Sequence, residues 1–123
     1  RAFSGHAVPR HKGGLASWQL RRIGEFVRAG NWDSTVGDIA RICGVSAGHA
    51  MRAFRQSTGH SIASYITSLR IERACALLAE DELSITAIAA DLGFANTSGF
   101  SAAFRRSVGV SPRIYRQRCR AGL

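Results

Sequence analysis

Apolar residues recur along this chain at helical spacing, and no segment alternates as a strand would. Leu20, Ile23 and Val27 share one face of a helix predicted from about Ala16 to Ala29, which Gly30-Asn31 stops. Val36, Ile39, Ala40 and Cys43 fall at i, i+3, i+4 and i+7, a short amphipathic helix that begins near Thr35 and ends at Gly44. Ser46 suits the N-cap of the next helix, 47–57, whose Ala50, Ala53 and Phe54 face inward. Gly59 closes it. Ser61 then caps a long helix over 62–79 carrying Ile66, Leu69, Ala74 and Leu77-Leu78. Ser84 caps a further short helix with Ile85, Ile88, Ala89 and Leu92, Gly93-Phe94 makes a turn, and Phe100, Ala103 and Phe104 line a helix near 96–107. Ser111-Pro112 opens the last helix, with proline at the first helical position, where its missing N–H costs nothing. The pattern predicts an all-α chain of about seven helices.

The chain also contains itself twice. Ile39-Ala40 and Gly44 reappear 49 residues later as Ile88-Ala89 and Gly93. Ala53-Phe54-Arg55, Ser57, Gly59 and Ser61 reappear 50 residues later as Ala103-Phe104-Arg105, Ser107, Gly109 and Ser111, and Tyr65 pairs with Tyr115. The second copy therefore carries one extra residue between its halves. A repeat of this length dictates the architecture: a first helix–turn–helix unit over 15–60, a linker helix over 61–80 and a second unit over 81–123. Residues 1–14, with Pro9, Gly13, Gly14 and basic side chains without apolar period, read as a flexible tail or interdomain linker.

Charge narrows the class of partner. Lys and Arg number 17 against 8 Asp and Glu, and all but Lys12 of the basic residues are arginine, giving a net charge of +9. Such a balance on a small body points to a polyanion, and guanidinium forks suit phosphate and guanine; a generally Arg-rich proteome is the plainer reading of charge alone. Glu80-Asp81-Glu82 is the single acidic cluster and is expected to face away from a nucleic acid. No stretch approaches the roughly 20 apolar residues that span a bilayer, and Arg1-Ala-Phe-Ser-Gly-His lacks the apolar run of a signal peptide. Cys43, Cys75 and Cys119 have no paired spacing, which fits reduced thiols in a cytoplasmic protein. Cys43 lies on an apolar face as a core residue, a redox sensor being the alternative. His6, His11, His49 and His60 show no ligand spacing, and no catalytic constellation emerges; neither metal, cofactor nor enzyme activity is expected. Trp18 and Trp32 read as core or surface-patch residues. The absence of an initiating Met suggests a piece of something longer.

In each copy a short helix, a glycine turn and a second helix form a helix–turn–helix, whose second helix can lie in a major groove. The turn needs a backbone at positive φ, which glycine adopts without strain. Taken together these residues resemble the AraC/XylS family of bacterial transcription regulators, from about Leu15 to Arg116. The most specific match is the second copy, through Ala89, Gly93-Phe94, Phe100, Phe104, Gly109, Pro112 and Tyr115-Arg116, with Arg70-Ile71, Ala74 and Leu77-Leu78 matching in the long helix. The resemblance implies two homeodomain-like helix–turn–helix subdomains joined by one rigid helix. It implies a monomer that binds an asymmetric site on double-stranded DNA, its two recognition helices in successive major grooves ~34 Å apart. It also implies an effector-binding or dimerisation domain on the N-terminal side in a longer chain, and RNA polymerase as a further partner.

The base-reading positions that the resemblance carries over are Gly48, Met51 and Arg52. Arg52 matches the two acceptors of guanine, with a phosphate contact as the alternative; Met51 suits a thymine methyl, and His49 is either a donor or packing. Gly48 departs from the pattern, a position often filled by a large side chain being empty. In the second copy Thr97, Ser98 and Ser101 are the base-edge candidates, while Ala102, the repeat-mate of Arg52, leaves a gap. The first copy is thus expected to read sequence and the second to grip the backbone. Phosphate candidates are Arg55, Arg105, Arg106 and Arg113, together with the helix N-termini at Ser46, Asn96 and Ser111. Two other classes stand beside the DNA-binding regulator. One is a protein-interaction module with weak nonspecific DNA binding, docking on RNA polymerase or another regulator, favoured by the empty positions Gly48 and Ala102. The other is thiol chemistry at Cys43 or Cys119.

Overall fold

The computed structural model describes residues 14–80 and 82–122. The tail over 1–13, with Pro9, Gly13, His6 and His11, and Asp81 of the acidic cluster lie outside the described residues. Among the described residues there are seven helices: α1 (Ser17–Arg28), α2 (Val36–Cys43), α3 (Ala47–Thr58), α4 (Ile62–Glu80), α5 (Ile85–Asp91), α6 (Thr97–Val108) and α7 (Pro112–Arg120). The chain divides into two compact units whose boundary falls inside α4, between Ile66 and Thr67.

The helices start where short polar side chains can take a free backbone N–H. Thr35 and Asp38 cap α2 reciprocally: the Asp38 N–H donates to Thr35 Oγ1 at 3.1 Å and the Thr35 N–H donates to Asp38 Oδ2 at 3.0 Å. That backbone donor holds the half-buried Asp38 carboxyl below its ordinary pKa, and Arg41 pairs with it. The hydroxyls of Ser46, Ser61, Ser84 and Ser111 accept from His49, Ser64, Ala87 and Ile114, as does the Asn96 amide oxygen from Gly99. α1 lacks such a residue, since its N-cap is Ala16. Gln19 substitutes: its amide oxygen accepts the Ala16 N–H at 2.8 Å and its Nε2 donates to the Cys43 carbonyl at 3.0 Å, pinning α1 to the end of α2.

The turns repeat in detail. After α2 the Val45 N–H donates to the Ala40 carbonyl at 3.0 Å, and after α5 the Phe94 N–H donates to Ala89 at 3.0 Å, with Gly44 at φ 73° and Gly93 at φ 83°. The offset of 49 thus holds through Phe94, and that of 50 begins at the caps Ser46 and Asn96. Ala95 is therefore the extra residue. It lies in the turn, where lengthening leaves both helical registers intact. A Cβ at Gly44 would meet nothing within 4 Å, so only the backbone conformation resists substitution there. Gly44→Ala is expected to cost about 1–2 kcal/mol, read as a lower urea midpoint at unchanged slope.

In the first unit Ile23, Val27, Ile39, Ala50 and Phe54 are fully buried, and Tyr65 leans on Phe54 with ring centroids 5.3 Å apart. The second unit repeats this with Phe104 and Tyr115 at 5.5 Å. Here the core is more aromatic: Phe100 lies 5.8 Å from Phe104 and 5.2 Å from Phe94, and the Arg70 guanidinium sits 5.0 Å above the Phe94 ring. Arg116 Nε donates to the Leu78 carbonyl at 3.1 Å, fastening α7 to α4. Leu20 and Leu77, expected inward, are half-buried at the margins of their faces, and Trp18 is half exposed on α1, a surface residue.

Candidate nucleic-acid interface

α3 packs Ala50, Ala53 and Phe54 inward, which turns Gly48, Met51, Arg52 and Arg55 to one outer face at i, i+3, i+4 and i+7. Met51, Arg52 and Arg55 are exposed, and Met51 is 50% exposed despite its apolar side chain. Neither arginine has an acidic partner among the described residues. Gly48 is not a vacancy: Arg52 Nη1 lies 3.2 Å from where a Cβ would stand, so the guanidinium lies back over the glycine. His49 is half-buried, and its backbone N–H is taken by the Ser46 hydroxyl at 3.1 Å. Beside this face is an open recess of about 300 Å³ lined by Val36, Met51, Ile62 and Ala63 together with Arg52, Arg55 and Ser61.

α6 buries Phe100, Ala103 and Phe104, and this turns Ser98, Ser101, Ala102 and Arg105 to the equivalent face. Ser98, Ala102, Arg105 and Arg106 are exposed and Ser101 is half-buried. Thr97, a base-edge candidate from the sequence, also reaches a neighbouring helix. The residue is half-buried, and its hydroxyl lies 3.3 Å from that of Thr86, a residue of α5 that sequence reasoning did not single out. The repeat could have flagged it, because Thr86 replaces Gly37 as Thr97 replaces Ala47. The Asn96 amide oxygen is engaged as a cap at 2.7 Å from the Gly99 N–H. Arg113 stands exposed in the first turn of α7, while Arg120 is paired with Glu82 at 3.0 Å.

α3 and α6 each lack an acidic residue and end with arginine in the last turn, so each presents a cationic outer face. Their first-turn backbone N–H groups add positive potential at the opposite end. The side chains on these faces can donate hydrogen bonds and offer apolar contact, and none is a permanent anion.

The thiols lie elsewhere. Burial raises the pKa of Cys43 in the first core, which disfavours the reactive thiolate. Burial likewise raises Cys75 and pushes the Tyr115 hydroxyl up to about 12, with Cys75 and Cys119 close by it adding to the effect. Among the described residues no group of His, Cys, Asp and Glu could hold a metal ion, and no helix is long and apolar enough to cross a membrane.

A family model for a helix-turn-helix domain matches residues 39–118. The chain is 34% identical over 114 residues to the melibiose operon regulatory protein of Escherichia coli strain K12, covering 91% of this chain and 36% of that regulator's length. The fold is similar to the crystal structure of a transcriptional regulator with an AraC-type DNA-binding domain from Chromobacterium violaceum. There the TM-score is 0.76 at 29% identity, over 82% of this chain and 91% of that one. It is also similar to the DNA-binding domain of AdpA, a global transcriptional factor solved in complex with a target DNA, with a TM-score of 0.75 at 26% identity, over 84% of this chain and 94% of that one.

Proposed function

The chain belongs to the AraC/XylS family of helix-turn-helix transcription regulators, and from that premise we propose that it binds double-stranded DNA sequence-specifically, as a monomer, on an asymmetric site. The observation that carries this reading is the matched pair of acid-free outer faces, Gly48-Met51-Arg52-Arg55 and Ser98-Ser101-Ala102-Arg105, on the second helix of each turn. α3 and α6 enter successive major grooves, about 34 Å apart along the duplex. Arg52 forks onto a guanine, Met51 and His49 meet neighbouring base edges, and Gly48 leaves room for the guanidinium. Ser98 and Ser101 touch bases weakly, and Thr97 serves mainly to join α6 to α5. Arg55, Arg105, Arg106 and Arg113, with the N-termini at Ser46, Asn96 and Ser111, hold phosphates.

The regulator acts on the bacterial chromosome in the cytoplasm. A domain N-terminal to this region supplies effector binding or dimerisation, and RNA polymerase is its partner at the promoter. The relatives are longer, this chain spanning 36% of the melibiose regulator, which leaves room for such a domain.

The test is selection from random duplex DNA, followed by binding of the winner and a scrambled duplex across salt concentrations. The expected result is one asymmetric motif with two half-sites about a helical turn apart, the first more sharply defined. Removing Arg105 or Arg106 should weaken all duplexes about equally and reduce the slope of log affinity against log salt by about 1. Equal, salt-sensitive affinity for every duplex would overturn the reading and turn the search to protein partners.

A further inference from the structure

The recess beside α3 is lined mostly by carbon, with Ser61, Arg52 and Arg55 as its polar members. Ile62 is buried at its floor, Val36 stands half-buried at the start of α2, and Met51 and Ala63 are exposed at its sides. Its apolar part offers a hydrogen-bonding group nothing, and the flexible thioether of Met51 can close there around a small apolar one. The base edges of a major groove carry donors and acceptors throughout, with one apolar exception, the C5-methyl of thymine.

We propose that the recess formed by α2, α3 and the first turn of α4 is a seat for a pyrimidine C5-methyl group, closed by Val36 and Met51. This rests on the reading of α3 as a groove-reading helix. Val36 becomes a specificity determinant although it lies outside that helix, and the base it selects neighbours the guanine held by Arg52. The group recognised is the methyl, which thymine and 5-methylcytosine share. The seat belongs to the first unit: Ile85 and Pro112, the repeat-mates of Val36 and Ile62, are apolar, but those of Met51 and Ala63 are Ser101 and Arg113, polar residues that interrupt the wall.

The experiment uses the whole chain and its best selected duplex, with each thymine replaced singly by deoxyuridine, which removes the methyl and keeps the pairing. At one position in the first half-site the loss should be roughly three- to fivefold, the effect of one methyl group withdrawn from water. At that position a 5-methylcytosine–guanine pair should bind better than cytosine–guanine by a similar factor, which separates the methyl from the rest of the base. Met51→Ala and Val36→Ala, checked for folding by thermal melting, should bind thymine and deoxyuridine alike. Equal binding of thymine and deoxyuridine at every position by the unmodified chain, or discrimination undiminished in both variants, overturns the seat. A chain that selects no duplex overturns the groove-reading premise, and the seat falls with it.

Discussion

Phe104→Ala is expected to destabilise the second unit by roughly 3–5 kcal/mol, the range for emptying a buried aromatic site. Phe104 has no exposed surface and stands in the middle of a run of rings, 5.8 Å from Phe100 and 5.5 Å edge-on to Tyr115. Phe100 in turn holds Phe94 at 5.2 Å, and Phe94 carries Arg70 above it at 5.0 Å. Removing the central ring leaves a void that neither neighbour can fill without abandoning its other contact. The loss is a large part of the 5–15 kcal/mol typical of a whole domain. Amide hydrogen exchange is the readout. Protection should fall in α5, α6 and α7 while α1, α2 and α3 retain theirs, because the chain clusters into units that divide within α4. Loss of protection to the same extent in both units would show that they unfold as one. A destabilisation under about 1 kcal/mol would mean the site collapses around the void, against the cavity argument.

The repeat that makes this expectation possible was open to reading in the sequence because helix faces and caps are local. Ile39, Ala40 and Cys43, or Phe100, Ala103 and Phe104, declare an inner face by spacing alone, and each is buried. Ser46, Ser61, Ser84 and Ser111 announce helix starts because a hydroxyl three residues from a free N–H has one obvious use. What lay beyond the sequence was contact between elements. Nothing in the string told that Gln19 would replace a missing cap and also reach Cys43, or that the Thr97 hydroxyl would turn to Thr86. The gap at Gly48 exists only in side-chain size, because the space above it is taken by a side chain one turn later, Arg52. The recess is a further case. Val36, Met51 and Ile62 lie on three helices, and only packing brings them to one wall.

Arg52→Ala should cost roughly 1–3 kcal/mol on the selected duplex and relax preference at one base pair, with little change on scrambled DNA. The residue is exposed, so fold stability should move by no more than about 0.5 kcal/mol, and any loss of affinity reports the interface. Among the described residues its guanidinium has no acidic partner to leave behind, which keeps the comparison free of an orphaned charge. Arg52→Lys separates the two roles such a side chain can play. An ammonium keeps the charge and so keeps a phosphate contact, but it cannot match the paired acceptors of guanine as a planar fork does. Binding by the lysine variant close to that of the alanine variant on the selected duplex identifies a base reader. Recovery by lysine, with equal losses on selected and scrambled duplexes for alanine, identifies a phosphate clamp. Gly48→Ala adds the geometric check, since its Cβ would stand 3.2 Å from Arg52 Nη1 and press on a flexible side chain. If Arg52 reads a guanine from over that glycine, the added methyl should shift the guanidinium by a few tenths of an ångström. The same base pair should then lose definition, by less than Arg52→Ala removes. A second base pair losing definition instead would place Gly48 and Arg52 on different contacts.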